Sequence, residues 1–493
     1  MKTKYIWLLA GLISFAACES DDDSSFSEPL PALTAGSADF SNFVSLGNSL
    51  TAGFSDGALY KIAQQNSTPR ILANQFVLVG GGDFTQPLMN DNVGGLLAGG
   101  NPLPNFGPRL VFDGSGPVPI TDLNPGATTT TDIILNNPAG PFNNMGVPGA
   151  KSFHLLAPNY GDLSGLFASP PTANPYFVRM ASSPSTSVIS DAMAQNPSFF
   201  SLWIGNNDVL GYALSGGDGS NPITDQVTFD FAYTTLIGTL TTGETKGVIA
   251  NIPDVTSIPH FTTVPYNPIP LDLATANAVN NAYATYNGGL LQAESFALIT
   301  ADERAARTIV FAASLNNAVV IEDESLTDLS GLGIPNYRQA TAGDLFVLPA
   351  SSFIGTEAVE GNPLTVNGVA IPLADKWVLI PSEQAEIAVA TASFNATIQA
   401  SATGSNLAFV DTNRILNQLA LTGISSGDYI LTSDLVTGGA FSLDGVHPTS
   451  RGYALIANEF LKSIDAQYNS NFEASGNLVN IANYNTNYSA GLQ

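Results

Sequence analysis

One stretch of the sequence decides the fold: Phe43-Val44-Ser45-Leu46-Gly47-Asn48-Ser49-Leu50-Thr51-Ala52-Gly53. Its apolar residues predict a short buried strand, and Gly47 supplies the turn that ends the strand. From Leu50 the pattern becomes that of a helix, which extends to Gln65 with an interruption by small residues at 53–57. A serine therefore lies where a buried strand meets a helix, which is the repeating unit of parallel α/β sheets.

The same alternation of strand and helix recurs along the chain. Further strands are predicted at 198–204, 247–252 and 406–410, and the first of these is a nearly continuous apolar run, typical of a strand buried on both faces. Helices are predicted at 187–195, 225–240, 271–291, 382–400, 411–421 and 450–464. The pattern indicates an α/β fold built from βαβ units around a central parallel sheet.

Two long segments interrupt this pattern. Residues 75–143 are rich in Gly, Pro, Asn and Thr, and residues 298–380 are strand-like and rich in Gly, so we predict large insertions at about these positions. No internal repeat is visible, which excludes solenoids and propellers. The predicted main domain covers residues 38–470, and residues 471–493 are expected to form a C-terminal tail.

The composition excludes several classes of protein. The chain of 493 residues has 15 basic and 41 acidic side chains, a formal net charge of −26, and no basic tract. Such a chain repels phosphate backbones and anionic lipids, which argues against nucleic-acid binding and polybasic membrane docking. With 44% hydrophobic residues it has enough apolar side chains to bury a core, so disorder is not expected.

The N-terminus has the pattern of a targeting segment. Lys2 and Lys4 precede an apolar run at 6–17, which is too short to span a bilayer and ends in small residues before Cys18. The segment resembles a bacterial lipoprotein signal peptide, which implies cleavage after residue 17 and lipidation of Cys18. An ordinary secretory signal with a buried cysteine is the alternative. Cys18 is the only cysteine, so the chain has no intrachain disulfide and no cysteine-based zinc site.

The segment after the cysteine indicates how the protein is attached to a membrane. Residues 18–37 begin with an acidic run and are expected to form a flexible tether that joins the lipid anchor to the folded domain. The resemblance to lipoproteins implies an outer-membrane lipoprotein of a Gram-negative bacterium, attached to the membrane through the lipid only. Both a surface-exposed and a periplasm-facing position are compatible with the sequence.

Two short blocks contain candidate catalytic side chains. Ser49 is placed at the start of a helix, where the helix N-terminus favours developing negative charge. Asp444 and His447 lie three positions apart across a turn with Gly445. The carboxylate can therefore reach one ring nitrogen of the histidine and leave the other free as a base. Taken alone, Ser49 is better explained as a helix cap, and a lone histidine is usually structural.

Two further blocks contain candidate donors for an oxyanion. The block 144–150 includes Gly149, and the block 204–208 follows the second predicted strand and includes Asn207. Acyl transfer to a serine needs hydrogen-bond donors aimed at the tetrahedral oxyanion, and a glycine N–H with an asparagine amide can supply them. Each block taken separately is better explained as an ordinary turn, and it is the order of the blocks that is informative.

The order of these four blocks, from Phe40 to Leu461, resembles that of the SGNH hydrolases, also called the GDSL lipase/esterase family. The resemblance implies a three-layer α/β/α, flavodoxin-like fold with Ser49 as nucleophile, His447 as base and Asp444 as the group that orients the base. It also implies an oxyanion hole formed by the Ser49 N–H, the Gly149 N–H and the Asn207 side chain, with no metal or organic cofactor. The family pattern is usually Gly-Asp-Ser-Leu, whereas this chain has Asn48 where aspartate is expected.

Two other motifs in the sequence match known site patterns but are not assigned as sites. Residues 423–427 fit the G-x-S-x-G elbow of α/β-hydrolases, but they follow a predicted helix rather than a core strand, so we do not assign the nucleophile to Ser425. Residues 216–221 are rich in Gly and Asp, as calcium loops are, but they lack EF-hand spacing and are more simply interpreted as a loop.

The sequence thus predicts a lipid-anchored serine ester hydrolase of the lipase or carboxylesterase type. Its partner is an ester substrate, which is a lipid, a short-chain ester or an acetylated glycan, because a triad sets the reaction and the insertions shape the pocket. The alternative is a catalytically silent surface lipoprotein that binds glycans or a protein partner on the same scaffold. The neutral Asn48 and the long insertions are the features that favour the alternative.

Overall fold

A computed structural model describes residues 29–493. The predicted signal peptide and Cys18 lie outside these residues. Within them, no helix is long and apolar enough to cross a membrane.

The fold is mixed α/β, with a central sheet of five parallel strands flanked by helices, as the alternation of strands and helices predicts. The strands are β1 (Phe43–Gly47), β2 (Asn144–Gly146), β3 (Phe199–Trp203), β4 (Lys246–Ala250) and β5 (Ala408–Val410). Their spatial order is β5-β4-β3-β1-β2. In register, Gly47 lies opposite Gly146 on one side and Trp203 on the other.

The α-helices of the described residues are α1 (Ser49–Ala52), α2 (Lys61–Gln65), α3 (Thr68–Phe76), α4 (Ile120–Leu123), α5 (Pro175–Val178), α6 (Val188–Met193), α7 (Asn206–Leu214), α8 (Gln226–Leu240), α9 (Pro259–Thr262), α10 (Leu273–Ser295), α11 (Ala301–Arg307), α12 (Ala350–Phe353), α13 (Pro381–Gly404), α14 (Thr412–Leu421) and α15 (Ser450–Tyr468). The six helices predicted from residue 187 onward, which are α6, α8, α10, α13, α14 and α15, lie within four residues of their predicted bounds. The helix predicted from Leu50 to Gln65 is instead divided into α1 and α2, because residues 53–60 are not helical. The remaining helices are not predicted by the sequence pattern.

Shorter elements fill the segments between them. Antiparallel two-stranded ribbons pair Leu97–Ala98 with Asn101–Pro102, Leu110–Phe112 with Pro117–Pro119, Ile269–Leu271 with Ser314–Asn317, Val320–Glu322 with Tyr337–Gln339, Leu345–Phe346 with Val378–Leu379, and Ile424–Ser426 with Tyr429–Leu431. Single turns of 3₁₀ helix lie at Val77–Val79, Ser152–Leu156, Leu163–Phe167, Thr242–Glu244, Val255–Ser257, Ser330–Leu332, Pro363–Thr365, Asp375–Trp377 and Ile481–Asn483.

The central strands are buried because their residues are apolar on both faces. Every residue of β1 and β3 is buried, which matches the continuous apolar runs in the sequence. Helices pack on this sheet through aromatic and aliphatic side chains; Phe76 of α3, for example, meets Phe199 of β3 edge-on, with ring centroids 5.8 Å apart. Helix α15 packs against β5 and α3.

The strand order creates a crevice beside β1. From β1 the chain crosses to β2 on one side and then returns to β3 on the other, so the direction of the connections reverses at β1. In open parallel sheets, ligands bind at the carboxyl ends of the strands where this reversal occurs. The segment that follows β1 begins with Asn48 and Ser49, which places the candidate nucleophile at this crevice.

Strand β2 is an element that the sequence pattern does not predict. Its residues, Asn144 to Gly146, include one apolar side chain, that of Met145, and no β-branched one, and the strand lies at the edge of the sheet, where it pairs with β1. The sequence predicts either an ordinary turn or a source of oxyanion donors at residues 144–150. The structure makes the first part of this block a strand of the sheet.

The two ends of the described chain pack on the body of the fold. In the predicted C-terminal tail, Phe472 and Ile481 are buried. The buried guanidinium of Arg109 donates hydrogen bonds to the carbonyl oxygens of Tyr488 and Ser489. At the other end, the N–H of Ser37 donates to the carbonyl oxygen of Tyr468 at 2.8 Å, so the last residues of the predicted tether are held against α15.

Candidate active site

The turn after β1 presents Ser49 at the first position of α1. Asn48 caps this helix, with its Oδ1 accepting a hydrogen bond from the N–H of Leu50 at 3.0 Å. Only glycine fits at position 47, since a Cβ there would lie 2.3 Å from the carbonyl oxygen of Trp203. Close packing at Gly47 therefore sets the position of the serine at the end of the sheet.

The structure brings Ser49 together with the predicted base and acid. Nε2 of His447 lies 2.9 Å from Oγ of Ser49, and Nδ1 of His447 lies 2.8 Å from Oδ2 of Asp444. These three residues come from opposite ends of the chain, yet they form one continuous chain of hydrogen bonds. The arrangement is that of a nucleophile, a base and an orienting carboxylate.

Asp444 is fixed by donors other than His447. Its Oδ1 accepts the N–H groups of Val446 and His447, each at 2.9 Å, and its Oδ2 accepts the N–H of Gly57 at 2.9 Å. Burial on its own would raise the pKa of Asp444, but the His447 ring and these hydrogen bonds hold it well below its usual range. The carboxylate is therefore ionised and oriented, and it favours a proton on Nδ1 of His447.

The proposed oxyanion donors lie at the same edge of the sheet. Gly149 follows β2 with a φ of +82°, and Asn207 is in the first turn of α7, which follows β3. The Asn207 Nδ2 donates to the carbonyl oxygen of Ala150 at 2.9 Å, so the two donor blocks are in direct contact. Among residues 29–493, no acceptor binds the N–H groups of Ser49 and Gly149, which leaves both available to a ligand.

A buried carboxylate that the sequence interpretation missed connects these blocks. Asp208, next to Asn207, is fully buried and accepts hydrogen bonds from the N–H and the Oγ of Ser152, both at 2.8 Å. Burial raises the pKa of Asp208. On the other side of the loop, Asn174 donates to the carbonyl oxygen of Pro148 at 2.8 Å. These contacts hold the loop that contains Gly149 in place.

Asn48 lies directly before the candidate nucleophile and makes a contact that an aspartate would make differently. Its Nδ2 donates to Oδ1 of Asn206 at 3.1 Å, while the Nδ2 of Asn206 is buried and has no partner among the described residues. A neutral amide pair thus links the Ser49 turn to the Asn207 block. An aspartate at position 48 would instead accept from Asn206 with its amide reversed.

The other two histidines have structural contacts. Nδ1 of His154 accepts the N–H of Lys151, and the ring stacks on Tyr160. The backbone N–H of His260 donates to the carbonyl oxygen of Gly445 at 2.9 Å, which supports the turn between Asp444 and His447. Residues 424–426 form one strand of a two-stranded ribbon and do not follow a strand of the central sheet, so the G-x-S-x-G elbow is excluded for Ser425.

A second buried carboxylate, Asp56, lies behind the triad and makes stability depend on pH. Its Oδ2 accepts from the Tyr60 hydroxyl at 2.6 Å and its Oδ1 from the N–H of Leu443 at 3.1 Å. Burial raises the pKa of Asp56 to about 6, with the charge of Asp444 also raising it and the charge of Arg109 lowering it. Because burial favours the protonated form of Asp56, protonation of this carboxyl stabilises the folded state. That stabilisation is present below pH 4 and is lost as pH rises through 6.

We therefore expect Asp56→Asn to change the pH dependence of unfolding. Between pH 4 and 7 the wild-type protein should lose about 3 kcal/mol of stability relative to the variant, since each pKa unit corresponds to about 1.4 kcal/mol. Asparagine tolerates the positive φ of this position, 51°. Urea unfolding over a pH series measures the difference; parallel stability curves for the two proteins would contradict the assignment.

No family model matches the chain, and comparisons with curated proteins and with solved structures give no significant match. The chemistry of the site is therefore inferred from the geometry of its own residues.

Proposed function

We propose that the protein is a serine hydrolase of carboxylic esters, with the triad of an SGNH hydrolase on a three-layer α/β/α form of the observed fold. The single observation that carries the proposal is the continuous chain of hydrogen bonds from Ser49 through His447 to Asp444. Folding of the chain does not by itself require the side chains of residues 49, 447 and 444 to be hydrogen-bonded in this order. A triad of this geometry activates a serine hydroxyl for acyl transfer.

In the first half-reaction, His447 acts as a general base. Its Nε2 accepts the proton of the Ser49 hydroxyl while Oγ attacks the ester carbonyl, and the resulting imidazolium is stabilised by ionised Asp444. The negative charge on the tetrahedral oxygen is bound by the N–H groups of Ser49 and Gly149 and by the Asn207 amide. His447 then returns the proton to the leaving alkoxide, which departs as the alcohol and leaves an acyl-enzyme.

The second half-reaction uses the same groups on water. His447 removes a proton from a water molecule, the hydroxide attacks the acyl carbonyl, and the same donors bind the oxyanion. Protonation of Ser49 Oγ by the imidazolium then releases the carboxylic acid and restores the free enzyme. These side chains and water are sufficient for both half-reactions.

An apolar cavity bordered by the sequence neighbours of Ser49 and His447 supports esters with an apolar acyl group. The cavity, of about 90 Å³, is bordered by Leu50, which follows the nucleophile, and by Val446 and Pro448, which flank the base. Its other walls are apolar side chains of Trp203, Ile415, Leu416, Leu419, Leu455 and Ile456. An alkyl chain gains free energy by leaving water for such a space. We therefore propose an enzyme of the lipase or carboxylesterase type.

The proposed location rests on the N-terminal sequence alone. Lipidation of Cys18 would attach the hydrolase to the outer membrane by its N-terminus, with the acidic residues after the cysteine as a spacer. In this arrangement the membrane contact is made by the lipid and the substrate is reached from the aqueous side.

The test is hydrolysis of p-nitrophenyl acetate, butyrate, octanoate and palmitate by the purified protein. We expect turnover, with a preference for acyl chains longer than acetate because the cavity bordered by Leu50 and Val446 is apolar. A preference for acetate would indicate a deacetylating enzyme. A folded protein that hydrolyses none of these esters would favour the binding lipoprotein and contradict the proposal.

Asn207 offers a separate test of the oxyanion hole. Asn207→Ala removes one of three donors to the developing charge, and we expect kcat to fall by about 10²–10³-fold with a smaller change in KM. Asn221→Ala is a suitable control, because it makes the same substitution at an asparagine that is not one of the proposed oxyanion donors. Asn221 lies in the loop after α7, and its Oδ1 accepts a hydrogen bond from Lys151. Steady-state kinetics on the best ester decides; an equal loss in both variants would argue against a direct role for Asn207.

A further inference from the structure

Three carboxylates meet at a place that the esterase chemistry does not use. Glu324 and Asp375 belong to the second insertion, and Glu383 is in the first turn of α13. One oxygen atom of each of these side chains lies within 4.8 Å of the others. Like charges at this separation repel, so the cluster needs a compensating group.

The deepest of these carboxylates lacks a partner for one oxygen. Glu383 is 3% exposed; its Oε2 accepts the N–H of Ile380 at 2.8 Å, whereas its Oε1 is buried without a hydrogen bond in the described part of the chain. Oδ1 of Asp375 is also buried and without a partner among these residues. A buried carboxylate oxygen without a donor or cation is costly, and its presence points to a bound group.

In the described part of the chain, basic side chains do not compensate the negative charge of these carboxylates. Among residues 29–493, none of the three carboxylates has a basic nitrogen within 4 Å. The nearest lysine along the chain, Lys376, has its ammonium over the ring of Trp377, 5.2 Å from the centroid. The neighbouring Asp323 is paired with Arg338. No basic side chain of the described residues therefore pairs with the cluster.

The Gly- and Asp-rich loop at 216–221 lies directly against this cluster. Gly216 and Gly217 have φ values of +67° and +79°, which turn the loop sharply after α7. A Cβ on Gly217 would lie 1.8 Å from Oε1 of Glu383, and a Cβ on Gly216 would lie 2.4 Å from the carbonyl oxygen of Asp375. Only glycine lets the loop backbone approach the unpartnered carboxylate so closely.

We infer that Glu324, Asp375 and Glu383 bind a hard divalent cation, specifically Ca²⁺, with the adjacent loop at 216–218 and water completing the shell. The three residues offer oxygen ligands only, which suit Ca²⁺ and disfavour zinc, copper and iron. Calcium also accepts the irregular coordination that a loop and three separate side chains provide, whereas Mg²⁺ requires a near-ideal octahedron.

Protonation is the alternative way to relieve the repulsion within this cluster. Burial and the neighbouring carboxylates Glu324, Asp218, Glu322 and Asp323 raise the pKa of Asp375 to about 7. Burial, with the charges of Glu324 and Asp375, likewise raises the pKa of Glu383.

Calcium at this place would join separate parts of the fold. Glu324 and Asp375 belong to the second insertion, Glu383 begins α13, and the loop at 216–218 follows α7, whose first turn contains Asn207. The bound ion would hold the insertion against the helix that supplies an oxyanion donor. Its binding does not depend on the proposed esterase activity.

The test is calorimetric titration of CaCl₂ into the purified full chain after treatment with EDTA and removal of the chelator. We expect one saturable site, and binding at least about tenfold weaker in Glu383→Gln, which removes the buried charge but keeps an acceptor for Ile380. Glu360→Gln is the matched control, because it makes the same charge change on an exposed side chain of the same insertion. The control should bind Ca²⁺ as the wild-type protein does.

Thermal unfolding at pH 7.5 separates loss of the site from loss of the fold. In EDTA, Glu383→Gln should be at least as stable as the wild-type protein, since a repelling charge is removed; with CaCl₂ only the wild type and Glu360→Gln should melt at higher temperature. Absence of saturable binding to the wild type would overturn the inference, as would equal binding to Glu383→Gln. Stability that follows pH but not calcium would also overturn it, and would show that the carboxylates share a proton.

Discussion

Ser49→Ala is expected to remove ester hydrolysis almost completely, with kcat lower by about 10⁴–10⁶-fold. The Oγ of Ser49 hydrogen-bonds to Nε2 of His447, and without it the base has no nucleophile to activate. The backbone N–H of residue 49 and the cap from Asn48 remain, so the variant should keep its fold. Steady-state hydrolysis of the best p-nitrophenyl ester, with circular dichroism to check the fold, measures both effects.

The matched control for this variant is Ser425→Ala. Ser425 is the exposed serine of the G-x-S-x-G pattern, and it lies in a two-stranded ribbon away from the ends of the central strands. Its replacement should leave the ester hydrolysis rate unchanged. Normal activity in Ser49→Ala, or loss of activity in Ser425→Ala, would contradict the assignment of the nucleophile.

Asp444→Asn is expected to lower kcat by about 10⁴-fold while retaining the side-chain volume. The carboxylate accepts the Nδ1–H of His447 at 2.8 Å and favours the tautomer with a free Nε2. An asparagine amide in this place can donate to Nδ1 instead, which would put the proton on Nε2 and block its action as a base. The measurement is the same ester assay, with the pH dependence of kcat/KM recorded for both proteins.

A control for the charge change is Asp428→Asn, on an exposed side chain of the segment before the triad loop. This variant should hydrolyse esters at the wild-type rate. If Asp444→Asn lost less than about tenfold in kcat, the orienting role of the carboxylate would be excluded, and His447 would have to be held by its backbone contacts alone.

Much of the fold follows from the sequence because its determinants are local. Strands β1, β3, β4 and β5 are apolar runs that end in turn residues, and α8 and α15 begin and end within a few residues of the predicted positions. Strand β2 could not be predicted, because Asn144 and Gly146 gain their strand conformation only by pairing with β1. Its stabilisation comes from tertiary contact rather than from residue preference.

The same distinction applies to the site. Ser49, His447 and Asp444 could be proposed because each lies in a short block with a recognisable chemical role. The residues that brace them could not, since their contacts join distant parts of the chain: Asp208 with Ser152, and Asp56 with Leu443. The carboxylate cluster at Glu383 is hidden for the same reason, because its members are separated by up to 59 positions in the sequence.

The measurement that tests the central claim most directly is covalent labelling with a fluorophosphonate, followed by peptide mass spectrometry. A serine activated by His447 attacks the phosphorus and displaces fluoride, which leaves a stable phosphonyl ester on Oγ. We predict one adduct per chain, located on Ser49, and its absence from His447→Ala. A folded wild-type protein with no adduct, or with an adduct on another serine, would contradict the claim that Ser49 is the nucleophile.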